Sequence, residues 1–127
     1  MLVRDMMNRS PGTVAPEATL ADALRVMADK KNRHLVVVDR GTVVGILSDR
    51  DLAMYYDPSG MTEERWKGVR VKQIMTGNPI TIGSGAPIRE AARILLKEAV
   101  SALPVVDNGE LVGALSDRDF TRHFAQA

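Results

Sequence analysis

VGILSDRD, running from Val44 to Asp51, returns as VGALSDRD from Val112 to Asp119, with Ile46 against Ala114 the single difference. Working outward from this octet, an offset of 68 residues lays Val3–Leu52 over Val71–Phe120 without a gap. Roughly two positions in five are identical across that span, which chance does not supply. The chain is written twice. Two copies are too few for a solenoid, so a pseudo-twofold pair sharing one core is expected. The boundaries that follow are a first repeat at 1–56, a linker at 57–70 and a second repeat at 71–127, both repeats forming one module.

Each copy reads the same way. A short amphipathic turn, VRDMM or VKQIM, leads to a brief strand around Thr13-Val14 or Ile80-Thr81-Ile82. A helix follows, with apolar residues at i, i+3, i+4 and i+7: Leu20, Ala23, Leu24 and Met27, then Ile88, Ala91, Ala92 and Leu95. Two strands come next, joined by Asp39-Arg40-Gly41 in one copy and Asp107-Asn108-Gly109 in the other, where Asn-Gly is a strong hairpin signal. A last helix opens at Ser-Asp-Arg-Asp. The unit is β-α-β-β-α and the predicted fold class is α+β, or mixed α/β. Between the copies, Pro58-Ser59-Gly60 predicts a turn and TEERW a short helix.

Composition narrows the function. With 45% apolar and 26% charged residues the chain is an ordinary globular one, and 127 residues suffice for a real core. A net charge of +1 gives no basis for a nucleic-acid or membrane surface. The absence of cysteine excludes disulfides, thiolate metal sites and a cysteine nucleophile. With two histidines besides, no metal site is expected. The first residues meet charge at once and resemble no signal peptide, and no apolar run reaches membrane-spanning length. A cytoplasmic protein is expected.

The octet carries two explanations. Ser48 and Ser116 follow apolar strands and precede an acid by three residues, which is a capping box: the hydroxyl takes an orphan N–H and the acid reaches back. Gly45 and Gly113 would allow a bulge or a close backbone approach. The same atoms suit a ligand. A strand giving way to a helix presents unpaired N–H groups to an anion. A carboxylate there accepts both hydroxyls of a ribose, and a neighbouring arginine offers a fork to phosphate. Identity is concentrated in this corner while the flanking helices have drifted.

The gapless repeat, the strand Leu103-Pro104-Val105-Val106-Asp107 and the two endings Gly45–Asp51 and Gly113–Asp119 together resemble a tandem pair of CBS domains, a Bateman module, over essentially the whole chain. The resemblance implies two repeats packed sheet to sheet with pseudo-twofold symmetry, and a sensor that binds an adenosine-containing ligand (AMP, ADP, ATP or S-adenosylmethionine) in the clefts between them. It implies no other cofactor and a homodimer. Carried over residue by residue, Asp51 and Asp119 take the ribose hydroxyls, Ser48 and Ser116 ribose or phosphate, and Arg50 and Arg118 phosphate. Thr13, Arg33, His34 and Leu35 in one copy, and Thr81, Ser101, Ala102 and Leu103 in the other, line the base pocket. Pro104 removes a ladder donor, favours an edge position and leaves the backbone of Ala102 and Leu103 available to a purine. The first copy departs here, with Val36 for Pro104 and Arg33-His34 for Ser101-Ala102, so the first cleft is expected to be more polar and cationic.

Other features have blander readings. Trp66 anchors the linker. Met6, Met7 and Met75 fill core or interface. His123 is solvated near a helix end. GSGAP, from Gly83 to Pro87, lacks the rest of a phosphate loop and is an ordinary loop. No nucleophile elbow or P-loop is present, so no enzyme is expected. The alternative to a sensor is a ligand-free dimerisation or adaptor module whose corners are purely structural.

Overall fold

The structure, a computed structural model, describes residues 1–55 and 67–126. The expected turn at Pro58-Ser59-Gly60, the TEERW helix and the anchoring of Trp66 lie outside them. Twelve elements are described: α1 (Val3–Met6), β1 (Thr13–Val14), α2 (Leu20–Lys30), β2 (His34–Asp39), β3 (Thr42–Ser48), α3 (Asp49–Met54), α4 (Val71–Ile74), β4 (Thr76–Gly77), α5 (Ile88–Lys97), β5 (Ala102–Asp107), β6 (Glu110–Ser116) and α6 (Asp117–Ala125). The first copy shows the β-α-β-β-α order behind a four-residue helix; in the second, α4 and the short β4 precede α5-β5-β6-α6.

Two compact units form, and they cut across the sequence repeats. One is Pro11–Pro79; the other is Ile80–Ala127 together with Met1–Ser10. The opening residues of each repeat thus complete the unit built on the other.

In the unit at 11–79 the sheet order is β1-β2-β3-β4, with β1 parallel to β2 and the other pairs antiparallel. The hairpin turn places Arg40 at φ 52° and Gly41 at φ 81°, the left-handed pair that lets a two-residue loop follow the strand twist. The register steps between Val37↔Gly45 and Val38↔Val43, leaving Val44 as the extra residue of a bulge. Immediately beyond it, Gly45 lies against α4 and β4. A Cβ there would sit 2.6 Å from Met75 Sδ and 3.0 Å from the Thr76 carbonyl oxygen, so glycine is required for close approach. Helix α2 starts at a closed capping box, Thr19 with Asp22. It buries Leu20, Ala23 and Met27 against Leu35, Val37, Leu47, Leu52 and Val71. Leu24, expected on the buried stripe, is 42% exposed. Ala21 is buried in its stead, because the covered arc is centred slightly to the other side of the stripe.

The second unit repeats this plan with a shorter edge. Strands β5 and β6 are antiparallel, with the same step between Val105 and Val106 and the same positive-φ pair at Asn108 and Gly109. Gly113 faces Met7 Sδ at 2.7 Å and the Asn8 carbonyl oxygen at 2.8 Å from an added Cβ. The expected strand at Ile80-Thr81-Ile82 is reduced to a single parallel bridge, Ile82↔Val105. Proline is the reason. In the first unit Val36 N–H donates to the Gly12 carbonyl at 3.0 Å and secures β1, whereas its counterpart Pro104 has no N–H. Pro104 nevertheless accepts from Ile82 N–H at 3.1 Å, so β5, at the edge of a two-stranded sheet as proline suggested, carries one bridge on its outer side. The core here joins Val3, Ile82, Ala91, Leu103, Val105 and Leu115, with Met6, Met7, Ile94, Leu95 and Phe120 packed around it.

Candidate functional site

In both units the hairpin strands bring the start of one strand to the end of the other. His34 lies opposite Ser48, and Ala102 opposite Ser116. A backbone bond then fixes the closing helix: Asp49 N–H donates to the Arg33 carbonyl at 2.9 Å, and Asp117 N–H to the Ser101 carbonyl at 3.0 Å. The predicted residues Arg33, His34, Ser48, Arg50 and Asp51 are therefore neighbours in one unit. Ser101, Ala102, Ser116, Arg118 and Asp119 are neighbours in the other.

Strand alternation decides where the backbone points. Val36 donates toward β1 and Pro104 accepts from Ile82, so residues two positions earlier turn their polar groups to that same side. His34 and Ala102 thus present backbone edges on the side of Thr13 and Thr81, both of which are exposed. Thr13 stands on β1 opposite Val36; Thr81 is just outside the Ile82 bridge. Leu35 and Leu103 are fully buried in the two cores and bring no side chain to the corner.

The acids are turned toward their own helix starts. Asp51 Oδ2 accepts Ser48 N–H at 2.8 Å, and Ser48 Oγ accepts Asp51 N–H at 3.1 Å, closing the box in both directions. Asp119 Oδ2 accepts Ser116 N–H at 2.8 Å and the Ser116 hydroxyl at 3.2 Å. Capping occupies one oxygen of each carboxylate, and a carboxylate has about four lone-pair sites, so the bonds alone do not close the site to a diol. Arg50 and Arg118 are exposed in the first helical turn. Arg33 Nε stands 3.8 Å from Asp49 Oδ2, an exposed pair whose attraction water screens. Arg33 and His34 stand in the first corner where Ser101 and Ala102 stand in the second.

Two partnerships escape the motif. Arg122 Nη1 reaches Asp119 Oδ1 at 3.3 Å, and Asp119 is the one buried charged side chain among the described residues. The signal was the i, i+3 spacing on one helix face. Ser84 donates from both N–H (2.9 Å) and Oγ to Asp107, and these bonds, the hydroxyl's first, hold the Asp107 carboxyl below its ordinary range. GSGAP is an ordinary loop, as read, and is tied to β5 through Asp107. His123 differs from expectation: it is half-buried, its ring edge-on to Phe124 at 5.3 Å. Among the described residues no cluster of three metal-ligating side chains occurs, and no helix is long and apolar enough to cross a membrane.

A family model described as CBS domain matches twice, at residues 3–57 and 71–126. A CBS domain-containing protein of Dictyostelium discoideum is 34% identical, with 94% of this chain and 88% of that one aligned. Other curated relatives, a Bacillus subtilis transport ATP-binding protein and a Korarchaeum cryptofilum dehydrogenase, are longer; the chain spans 26% and 22% of them. Among solved structures, the CBS domain pair of protein MJ0100 in complex with 5′-methylthioadenosine and S-adenosylmethionine superposes with a TM-score of 0.84 at 27% identity, covering 99% of this chain and 97% of that one. Arabidopsis thaliana CBSX2 in complex with AMP gives 0.81 at 32%, covering 98% and 96%.

Proposed function

Because this chain belongs to the CBS domain family, as a tandem pair of such domains, we propose that it is a regulatory sensor that binds an adenosine-containing ligand and does no chemistry on it. The observation that carries this reading is the duplicated corner: in each unit a serine ends a strand, an acid three residues later caps the following helix, and a backbone edge lies alongside. Asp51 and Asp119 take ribose hydroxyls. Ser48, Ser116, Arg50 and Arg118 meet ribose or phosphate. His34 and Ala102 offer backbone to the base, with Thr13, Thr81, Arg33 and Ser101 at the margin. Leu35 and Leu103 hold that edge from the core, their own backbone groups being turned to the hairpin partners Leu47 and Leu115.

Support comes from the two similar CBS pairs that hold 5′-methylthioadenosine with S-adenosylmethionine, and AMP. AMP, ADP, ATP and S-adenosylmethionine are the ligands to try. Residues 1–56 and 71–127 act as the two repeats of one cytoplasmic module, paired as a C2 homodimer, the commonest closed assembly. Binding shifts an equilibrium between arrangements by its differential affinity for them.

One observation favours the adaptor reading: both acids already cap their own helices. Calorimetric titration of the four ligands decides. Saturable heat from at least one, lost in D51A or D119A, supports the sensor. No heat from any of them leaves the structural module.

A further inference from the structure

The two corners are near-copies in sequence and unlike in charge balance. Asp51 uses Oδ2 for the Ser48 N–H, and its Oδ1 has no partner among the described residues. Asp119 makes the equivalent bond, but its Oδ1 is held by Arg122 Nη1 at 3.3 Å. Three residues after Asp51 the first repeat has Met54, exposed and without charge. The asymmetry is therefore built by one residue, just past the end of the duplicated segment.

A sugar diol donates two hydrogen bonds and needs acceptor positions that are not already engaged. At Asp51 no described residue engages Oδ1. At Asp119 a guanidinium occupies one oxygen and neutralises the charge that would strengthen a hydroxyl bond to the other. The exposures of the pair show which partner can yield: the Asp119 side chain is 9% exposed and Arg122 57%. The acid is enclosed and fixed; the arginine reaches it from solvent and can swing away.

We propose that Arg122 latches the second corner, so that the first repeat takes a nucleoside as folded while the second takes one only by displacing Arg122. Arg122 is thus a specificity-determining residue that separates the two sites in affinity. This rests on the reading that the Ser-x-x-Asp corners hold sugar hydroxyls.

The test uses 5′-methylthioadenosine, which has the diol and no phosphate to engage Arg122 for itself. Calorimetry of the full chain gives a stronger and a weaker step, the stronger one lost in D51A. R122M, which installs the residue of the first repeat at an exposed position, strengthens the weaker step by about five-fold, the equivalent of one exposed ion pair. R122K keeps the charge and gains less, and D119A added to R122M removes the gain. An R122M protein whose weaker step is unchanged or weakened, while the stronger one persists, overturns the latch and leaves the corner reading standing. No binding of 5′-methylthioadenosine, AMP or S-adenosylmethionine by either protein overturns the corner reading, and the latch with it.

Discussion

Asp51 and Asp119 combine two tasks, capping a helix and facing a ligand, and their replacement separates them. D51A removes the bond to Ser48 N–H and lowers unfolding free energy by about 0.5–2 kcal/mol, measured by urea denaturation. In a sensor the same change also abolishes the adenosine heat of the first corner; in an adaptor it changes stability alone. Asp107 gives a pH-dependent counterpart. Ser84 holds its carboxyl below the ordinary range, so the folded value lies under the unfolded one. The stabilisation is then complete above the unfolded value and disappears as pH falls through the folded one. The gap in urea midpoint between wild type and S84A is therefore expected to be widest at neutral pH and to close as pH is lowered beneath the ordinary carboxylate range. The capping acids were legible because a box has a fixed three-residue signature. Ser84 with Asp107 was not, since the two lie 23 residues apart and only the fold joins them.

At the scale of elements, period and turn chemistry carried most of the architecture. The hairpins followed from Arg40-Gly41 and Asn108-Gly109, and the helix at Leu20 from its stripe. Where the sequence misled, one residue had altered a partner's backbone. Pro104 cut the Thr81 strand to a bridge, an effect exerted across the sheet and invisible within either strand alone. Gly45 and Gly113 were correctly suspected of close approach, but what approaches them, Met75 and Met7, could not be read from their neighbours. The two contacts differ usefully. An alanine Cβ at Gly113 meets the Asn8 carbonyl oxygen at 2.8 Å as well as the Met7 thioether, whereas at Gly45 the nearest backbone oxygen, of Thr76, is 3.0 Å away. Both G45A and G113A destabilise by about 1–3 kcal/mol, with G113A the more severe. Shortening Met75 to alanine restores more of the loss in G45A than M7A restores in G113A. Thermal melts of the four proteins check the order.

For the whole molecule, the repeat predicted two similar halves and did not predict that each would be finished by the other's opening residues. The cause is physical: VRDMM and VKQIM each carry one fully buried valine, Val3 or Val71, and hydrophobic patterning says that such a residue needs cover without saying whose. The structure answers with backbone bonds, Val3 N–H to the Ala86 carbonyl at 2.9 Å and Val71 N–H to the Ala18 carbonyl at 2.8 Å. Removal of residues 1–10 therefore damages the unit at 80–127, whose own repeat is left complete. Losing Val3 from that core alone forfeits about 1.5–3 kcal/mol. Hydrogen exchange is expected to accelerate most at Gly113–Leu115, beside the vacated Asn8 bridge, with the strands at 34–48 affected less. Equal acceleration in both units would contradict the exchange of arms.

The crossed arms also set a timetable for synthesis. A ribosome that has delivered the stretch up to residue 79 has released everything the Pro11–Pro79 unit requires, and that half can close while translation continues. The other half has Met1–Ser10 waiting for a sheet that is not yet built, so these residues leave the tunnel before the Pro11–Pro79 unit and dock after it.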